Sequence, residues 1–348
     1  MIRSKINHVV QNLLGSVYID GEKVKWEEWS AEIPAFDESD NITIRLPWML
    51  FEDGIMASNE KTKTKLVTGK NIPVLIKLKN KDLLNGIVSE PKWDFSLAGD
   101  SVEITALGSI GRMVEHEVVR NIKNRTASSV VNEIFSYHGI KGTVKSTSRK
   151  IGTYSADSQT SQTEMNDWQL LNWLAEWEGF CVRVIGKTGF FGPFFELPEI
   201  KKEPITFTYG KDCEIQSLSR RSFGAREVIV EGRSYYNKRT IVEYYPRKPK
   251  KEDEKAIVKR FTLTGLSQEQ LRKRIKSIHG ELTKYDLTGT LITQKYVEIL
   301  PDRRINLNGV GMSLSQTYYA TKVKLNENNE GGITTEIDFS SKSMEVSE

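Results

Sequence analysis

TEMNDWQLLNWLAEWEGFCVRV, residues 163–184, places three tryptophans within ten positions and reaches a glycine before an alternating apolar run. Asn166 is placed to cap a helix, with Gln169 at the third helical position to complete a capping box. Trp168, Leu171, Leu174 and Trp177 then fall on one side, Leu170 and Trp173 lie beside them, and Gly179 stops the helix. An apolar face about half the circumference wide needs cover from more than one direction, by a sheet on one side and another subunit on the other. FCVRVIGKTGFF (180–191) follows as a hairpin, with Phe180, Val182 and Val184 on one face and GKTG at the turn.

Working outward, RTASSVVNEIFSYHGI (125–140) reads as a second amphipathic helix. Thr126 is its N-cap, Ala127, Val130, Val131, Ile134 and Phe135 form its stripe, and Gly139 sits just past its end. Towards the N-terminus the period changes to two. NITIRL sets Ile42, Ile44 and Leu46 against Thr43 and Arg45, and SVEITA sets Val102, Ile104 and Ala106 against Glu103 and Thr105. IPVLIKLKN (72–80) is a third strand candidate, with breaks at Gly69, Asn71, Asn80, Gly86 and Gly99, and the spacing suits a small antiparallel barrel or sandwich.

Beyond residue 205 strands return in ITFTY, REVIVEG and TIVEYY, followed by the charged, proline-broken loop 246–260. A third helix begins at Ser267, with Gln270 completing a capping box. Its narrow stripe of Leu271, Ile275, Ile278 and Leu282 marks it as a surface helix. The closing hairpin alternates Tyr319, Thr321, Val323 and Leu325 with Ile333, Thr335, Ile337 and Phe339 around NENNEGG.

The composition excludes several classes. With 50 basic against 46 acidic residues, the net charge of +4 is too small to be a nucleic-acid signature. The 2 cysteines, Cys181 and Cys213, and 4 scattered histidines cannot build a disulfide framework or a four-ligand zinc site. No cofactor or metal is therefore expected. MIRSKINHVVQNLLGSVYID has no apolar core of signal-peptide length, and no stretch is long enough to span a membrane, so assembly in the cytoplasm without stable membrane insertion is expected.

Motifs that might carry chemistry fail on spacing. GKT (186–188) would need a glycine where Cys181 stands to be a P-loop. HEVVR (116–120) has Arg120 where a zinc protease needs its second histidine. Glu27 and Glu28 are adjacent and point to opposite faces of a strand, unlike the facing carboxylates of a glycosidase. FDESDN (36–41) lacks the glycine and distal glutamate of a calcium loop. No catalytic residue is assigned, and hydrolysis of neither peptidoglycan nor nucleotide is expected.

The order of segments resembles that of baseplate and tail hub proteins of contractile phage tails and phage-like injection systems, the late control protein D group. LLNGIVSEPKWDFSLAGDSVEITALGSIGRM (83–113) is similar to the family's strand pair, and 125–144 to its helix and short strand. Residues 161–184 resemble its best-marked segment through Asn166, Asp167, Trp168, Leu171, Leu174, Ala175, Glu176, Glu178, Gly179 and Phe180. The likeness covers roughly residues 35–340 and departs from the family's proline-glycine turn in VEILPDRRINLNGVGMSLSQTYYATKV (297–323).

The resemblance implies an α+β, mainly β fold. Two antiparallel β-barrel (tube-type) domains, residues 1–113 and 205–348, would flank an inserted α/β region, 114–204. It also implies a structural role as a homotrimer, an adaptor joining a hexameric tail tube protein to a trimeric central spike protein and touching other baseplate proteins. DNA would be at most cargo in the lumen of a virion tail baseplate. Because the last strand lies a few residues from the end of the sequence, the spike is expected to be a separate polypeptide. The alternative is a soluble β-barrel module binding single-stranded nucleic acid or glycan. It would use Tyr235, Tyr236, Tyr244 and Tyr245 among Lys238, Arg239, Arg247, Lys248, Lys250 and Lys251, although Glu252, Asp253 and Glu254 follow directly.

Overall fold

The computed structural model describes residues 14–35, 39–47, 66–68, 71–96, 99–115, 122–148, 150–151, 165–220, 228–250, 256–263, 265–283, 287–329 and 332–341. HEVVR, the first three residues of FDESDN, Gly69, the acidic run at 252–254 and the first thirteen residues lie outside these.

The period-two segments form strands where the alternation places them. β1 (Gly15–Ile19), β2 (Glu22–Val24), β3 (Glu28–Pro34), β4 (Asn41–Pro47), β5 (Pro73–Leu78), β6 (Lys81–Ser96) and β7 (Gly99–Leu107) come from the N-terminal third. Ile42, Ile44 and Leu46 are fully buried on β4, opposite Val102, Ile104 and Ala106 on β7. The middle holds α1 (Ser109–Glu115), α2 (Ala127–Tyr137), β8 (Lys141–Val144), α3 (Asp167–Glu178), β9 (Cys181–Ile185), β10 (Thr188–Gly192) and the single turn α4 (Pro198–Lys201). The C-terminal part holds β11 (Ile205–Thr208), β12 (Glu214–Arg220), β13 (Val228–Tyr236), β14 (Arg239–Tyr245), β15 (Ile257–Thr262), α5 (Gln268–Thr283), β16 (Leu287–Thr293), β17 (Arg304–Asn308), β18 (Thr317–Asn328) and β19 (Gly332–Ser340).

Strands from both ends of the chain share one mostly antiparallel sheet of 13 strands. Its main path runs β12-β16-β19-β18-β3-β4-β7-β6-β5-β1-β2, and β17 and β11 continue from β18. Among the described residues this path is open, with β12 and β2 at its ends. The seam between the two halves is the antiparallel pairing of β3 with β18, from Lys322↔Pro34 to Asn328↔Glu28. One apolar core underlies it and includes Trp29, Ile44 and Ile104 from one half and Val323, Leu325 and Phe339 from the other.

Two findings differ from the sequence reading. On β18, Tyr318 and Ala320 are buried instead of Tyr319 and Thr321, because a register shift between Ala320 and Lys322 moves the side chains before it to the other face. REVIVEG and TIVEYY do not join the large sheet. β13 pairs antiparallel with β14 and parallel with β15, and α5 covers this separate sheet through Leu271, Ile275 and Ile278. The expected surface helix is therefore part of a small lobe, residues 228–283, with its own core.

Candidate functional site

The tryptophan helix is capped at both ends. The Asn166 side chain accepts a hydrogen bond from the Gln169 N–H at 2.8 Å, and the Asn166 N–H donates to Gln169 Oε1 at 3.2 Å. Gly179 closes the helix in the left-handed conformation, φ 69°, where a side chain would add strain. Trp168, Leu171 and Leu174 are buried in a core built with α2 and the β9–β10 hairpin, and Ala175 is buried alongside them. Trp173 and Trp177 are half-buried, their rings tilted at 5.2 Å, and Trp173 packs against the margin of the same core. Asp167 is almost fully buried, 2.8 Å from Nε2 of His138, and the Phe180 ring stands edge-on to Phe191 at 5.5 Å. Glu176 is exposed and pairs with Arg274 of α5 at 3.3 Å, while Glu178 is half-buried.

The hairpin that follows ties this core to the large sheet. GKT is its turn and the start of β10, which explains why it cannot cradle a phosphate from a helix N-terminus. The Gly186 N–H donates to Oδ2 of buried Asp40 at 3.0 Å, and Oγ of Ser109 donates to the Gly186 carbonyl at 2.5 Å. Burial pushes the Asp40 carboxyl up to about 6, although the Gly186 hydrogen bond acts in the opposite direction. On the hairpin's other side, Arg183 grips Asp302 with two hydrogen bonds, 2.7 and 3.3 Å. Asp302 occupies the left-handed region at φ 68° in the stretch that lacks the proline-glycine turn.

The Arg183–Asp302 pair borders a cavity of about 430 Å³ lined from the N-terminal half, the middle region and the C-terminal half. Its wall carries the Arg183–Asp302 pair, the Lys202–Glu199 pair and Lys79 over the Tyr296 ring at 5.1 Å. The buried Arg183–Asp302 pair joins the β9–β10 hairpin to the segment before β17. Both cysteines are free and buried, and burial pushes the Cys181 thiol up to about 12, far from a reactive thiolate. Among the described residues no group of three or more His, Cys, Asp or Glu is placed to hold a metal ion. No described helix is long and apolar enough to cross a membrane.

Sequence reasoning missed Glu327, which lies at the seam. It is 2% exposed and accepts hydrogen bonds from the Leu14 and Gly15 N–H groups at 2.7 and 2.8 Å and from Trp29 Nε1 at 3.0 Å. A Cβ on Gly15 would come within 2.5 Å of both Glu327 and Trp29, so only glycine fits there. The signal available was Glu327 continuing the inward positions Val323 and Leu325. The tyrosines of the aromatic and basic stretch divide between the two faces of the lobe's sheet. The Tyr245 ring stands edge-on to His279 of α5 at 5.0 Å, whereas Tyr235 and Tyr244 take the opposite face.

No family model matches the chain, and no curated protein matches it by sequence. Solved structures do. A tail protein from Neisseria meningitidis MC58 superposes with a TM-score of 0.72 at 12% identity, over 95% of this chain and 97% of that one. The 43 kDa tail protein of prophage MuSo2 from Shewanella oneidensis gives 0.70 at 10% identity, over 94% and 98%. An E. coli component of the type VI secretion system, itself structurally similar to the T4 bacteriophage tail proteins gp27 and gp5, gives 0.54 at 10% identity, over 94% and 77%. The chain thus has the fold of phage and prophage tail proteins, shared with an injection-system component. At such low identities the likeness is one of fold.

Proposed function

We propose that the chain is the structural hub of a contractile tail or related injection apparatus, a non-enzymatic trimeric adaptor between a hexameric tube and a trimeric central spike. The observation that supports it most is the match of nearly the whole chain to nearly the whole of two tail proteins. The two halves of the large sheet, β1–β7 and β11–β12 with β16–β19, are the natural candidates for two tube-type barrels, fused in each copy through β3 and β18. Three copies then place six such units around a lumen, sixfold in shape and threefold in sequence, so one face matches a hexameric tube and the other a trimeric spike. Helices α2 and α3 lie outside this ring, with the Trp173–Trp177 pair turned towards neighbouring baseplate proteins.

Native mass measurement of the chain bound to its spike protein tests the reading. Three copies are expected, and a stable monomer or dimer in that complex overturns the hub assignment.

A further inference from the structure

The lobe's sheet has two unlike faces. Val230, Gly232 and Ser234 of β13 turn towards α5 and its connection, while Glu231, Arg233 and Tyr235 turn away. Register puts Tyr244 opposite Glu231 and Val242 opposite Arg233 on β14, and Arg260 beside Glu231 on β15. Glu231 is 3% exposed, yet Arg233 and Arg260 are open to solvent, and each donates its Nε–H to the carboxylate, at 2.6 and 3.2 Å. Burial alone would raise the Glu231 carboxyl; the two arginine hydrogen bonds outweigh it and hold the group below its usual range. With Nε bonded to Glu231, each guanidinium is anchored at the sheet while its side chain stays more than half exposed. Around them Tyr235 is 59% and Val242 40% exposed.

We propose that this face binds a carboxylate-bearing extended segment of another protein, gripped by Arg233 and Arg260 and flanked by Tyr235, Val242 and Tyr244. Two guanidiniums against one carboxylate leave a single positive charge in forked form, which matches one acidic side chain. Nucleic acid would require a cation for each of several phosphates, and this face does not supply them. Exposed tyrosine, an aliphatic residue and preoriented arginines are instead the composition of protein-interface anchors. The hub reading is not required: copy number can fail while this face still binds, and the reverse.

Fluorescence anisotropy on the purified full-length chain uses two labelled probes, a short peptide alternating glutamate and valine and an oligothymidylate of similar length. Saturable peptide binding tighter than the oligothymidylate is expected. R233A/R260A should weaken it about tenfold and Y235A about threefold, while K259A, on the helix-facing side of β15, should leave it unchanged. Thermal melting reports whether the lobe stays folded. If the alanine pair melts it, R233K/R260K, which keeps both charges and loses the forks, should still weaken the peptide about threefold. Absent peptide saturation, a folded arginine variant that binds as the wild type does, or preference for the oligothymidylate would each overturn the proposal.

Discussion

In the middle region β10 runs between antiparallel β9 and parallel β8, and in the lobe β13 runs between antiparallel β14 and parallel β15. Each central strand carries a glycine against a helix: Gly189 lies under Phe135 of α2, and Gly232 lies under Leu271 and Ile275 of α5. Each region has a helix opened by a capping box, at Asn166 in one and Ser267 in the other. Their attachment differs. Buried polar links through Asp40 and Arg183 join the middle region to the large sheet, whereas the lobe meets α3 through Arg274 and the exposed Glu176. Buried, geometrically demanding links couple the unfolding of the parts they join, and exposed ion pairs contribute little. Among the described residues the same local architecture is thus tied to its surroundings by buried polar links in one place and by a partly exposed ion pair in the other.

The largest test of the contrast lies in α3. Trp168→Ala should cost about 3–5 kcal/mol in chemical denaturation, and Trp173→Ala, on the half-buried side, about 1 kcal/mol. Equal losses would mean that both sides of the helix are equally covered.

The second test addresses the Asp40 link. Its folded carboxyl lies at about 6 against an ordinary 3.8, so the folded protein binds the proton more tightly. Stability should accordingly fall as pH rises from about 4 through 6, by up to about 3 kcal/mol. Asp40→Asn keeps an acceptor for Gly186 and removes the charge, so the slope should flatten and the protein gain stability at neutral pH. A variant whose melting temperature tracks the wild type across that range would break the link.

Gly232→Ala is a smaller and more local perturbation. Its Cβ would collide with Ile275 and costs about 1–3 kcal/mol. Hydrogen exchange should accelerate in β13, β14 and β15 while β3 and β18 stay protected. Loss of protection in both sheets would show that the lobe is as integral as the middle region.

The smallest effects are at the caps. Asn166→Ala should cost about 1 kcal/mol, spread over the whole molecule, because both capping-box hydrogen bonds are well formed. Ser267→Ala should cost less and act on the lobe alone, because its hydroxyl is 3.4 Å from the Gln270 nitrogen. Circular dichroism melts of the two variants check the ranking.

Much of this was legible beforehand. The capping box at Asn166, the stop at Gly179, the 180–191 hairpin and the inward faces of β4 and β7 depend on neighbours within a few residues, and the sequence displays those directly. The reading went astray where an extra residue changes the face, as at Ala320–Lys322, and where similar strands must choose a sheet, as β13 and β14 did. The partners of the candidate site were hidden for the same reason: His138, Asp302 and Arg260 are ordinary polar residues until folding places them beside Asp167, Arg183 and Glu231.

By itself the sequence determined the three capped helices at 127–137, 167–178 and 268–283, the alternating strands and a mainly β composition, because periodicity and capping are local properties of the chain, whereas the helix Ser109–Glu115 went unread. The tertiary structure alone decided that β3 pairs with β18 across almost the whole chain, that Glu327 is buried where Leu14, Gly15 and Trp29 supply its donors, and that β13, β14 and β15 form a sheet of their own. Strand partners are chosen by which apolar faces can be buried together and which backbone edges remain unpaired. That choice is a property of the assembled core, to which no single segment holds the key.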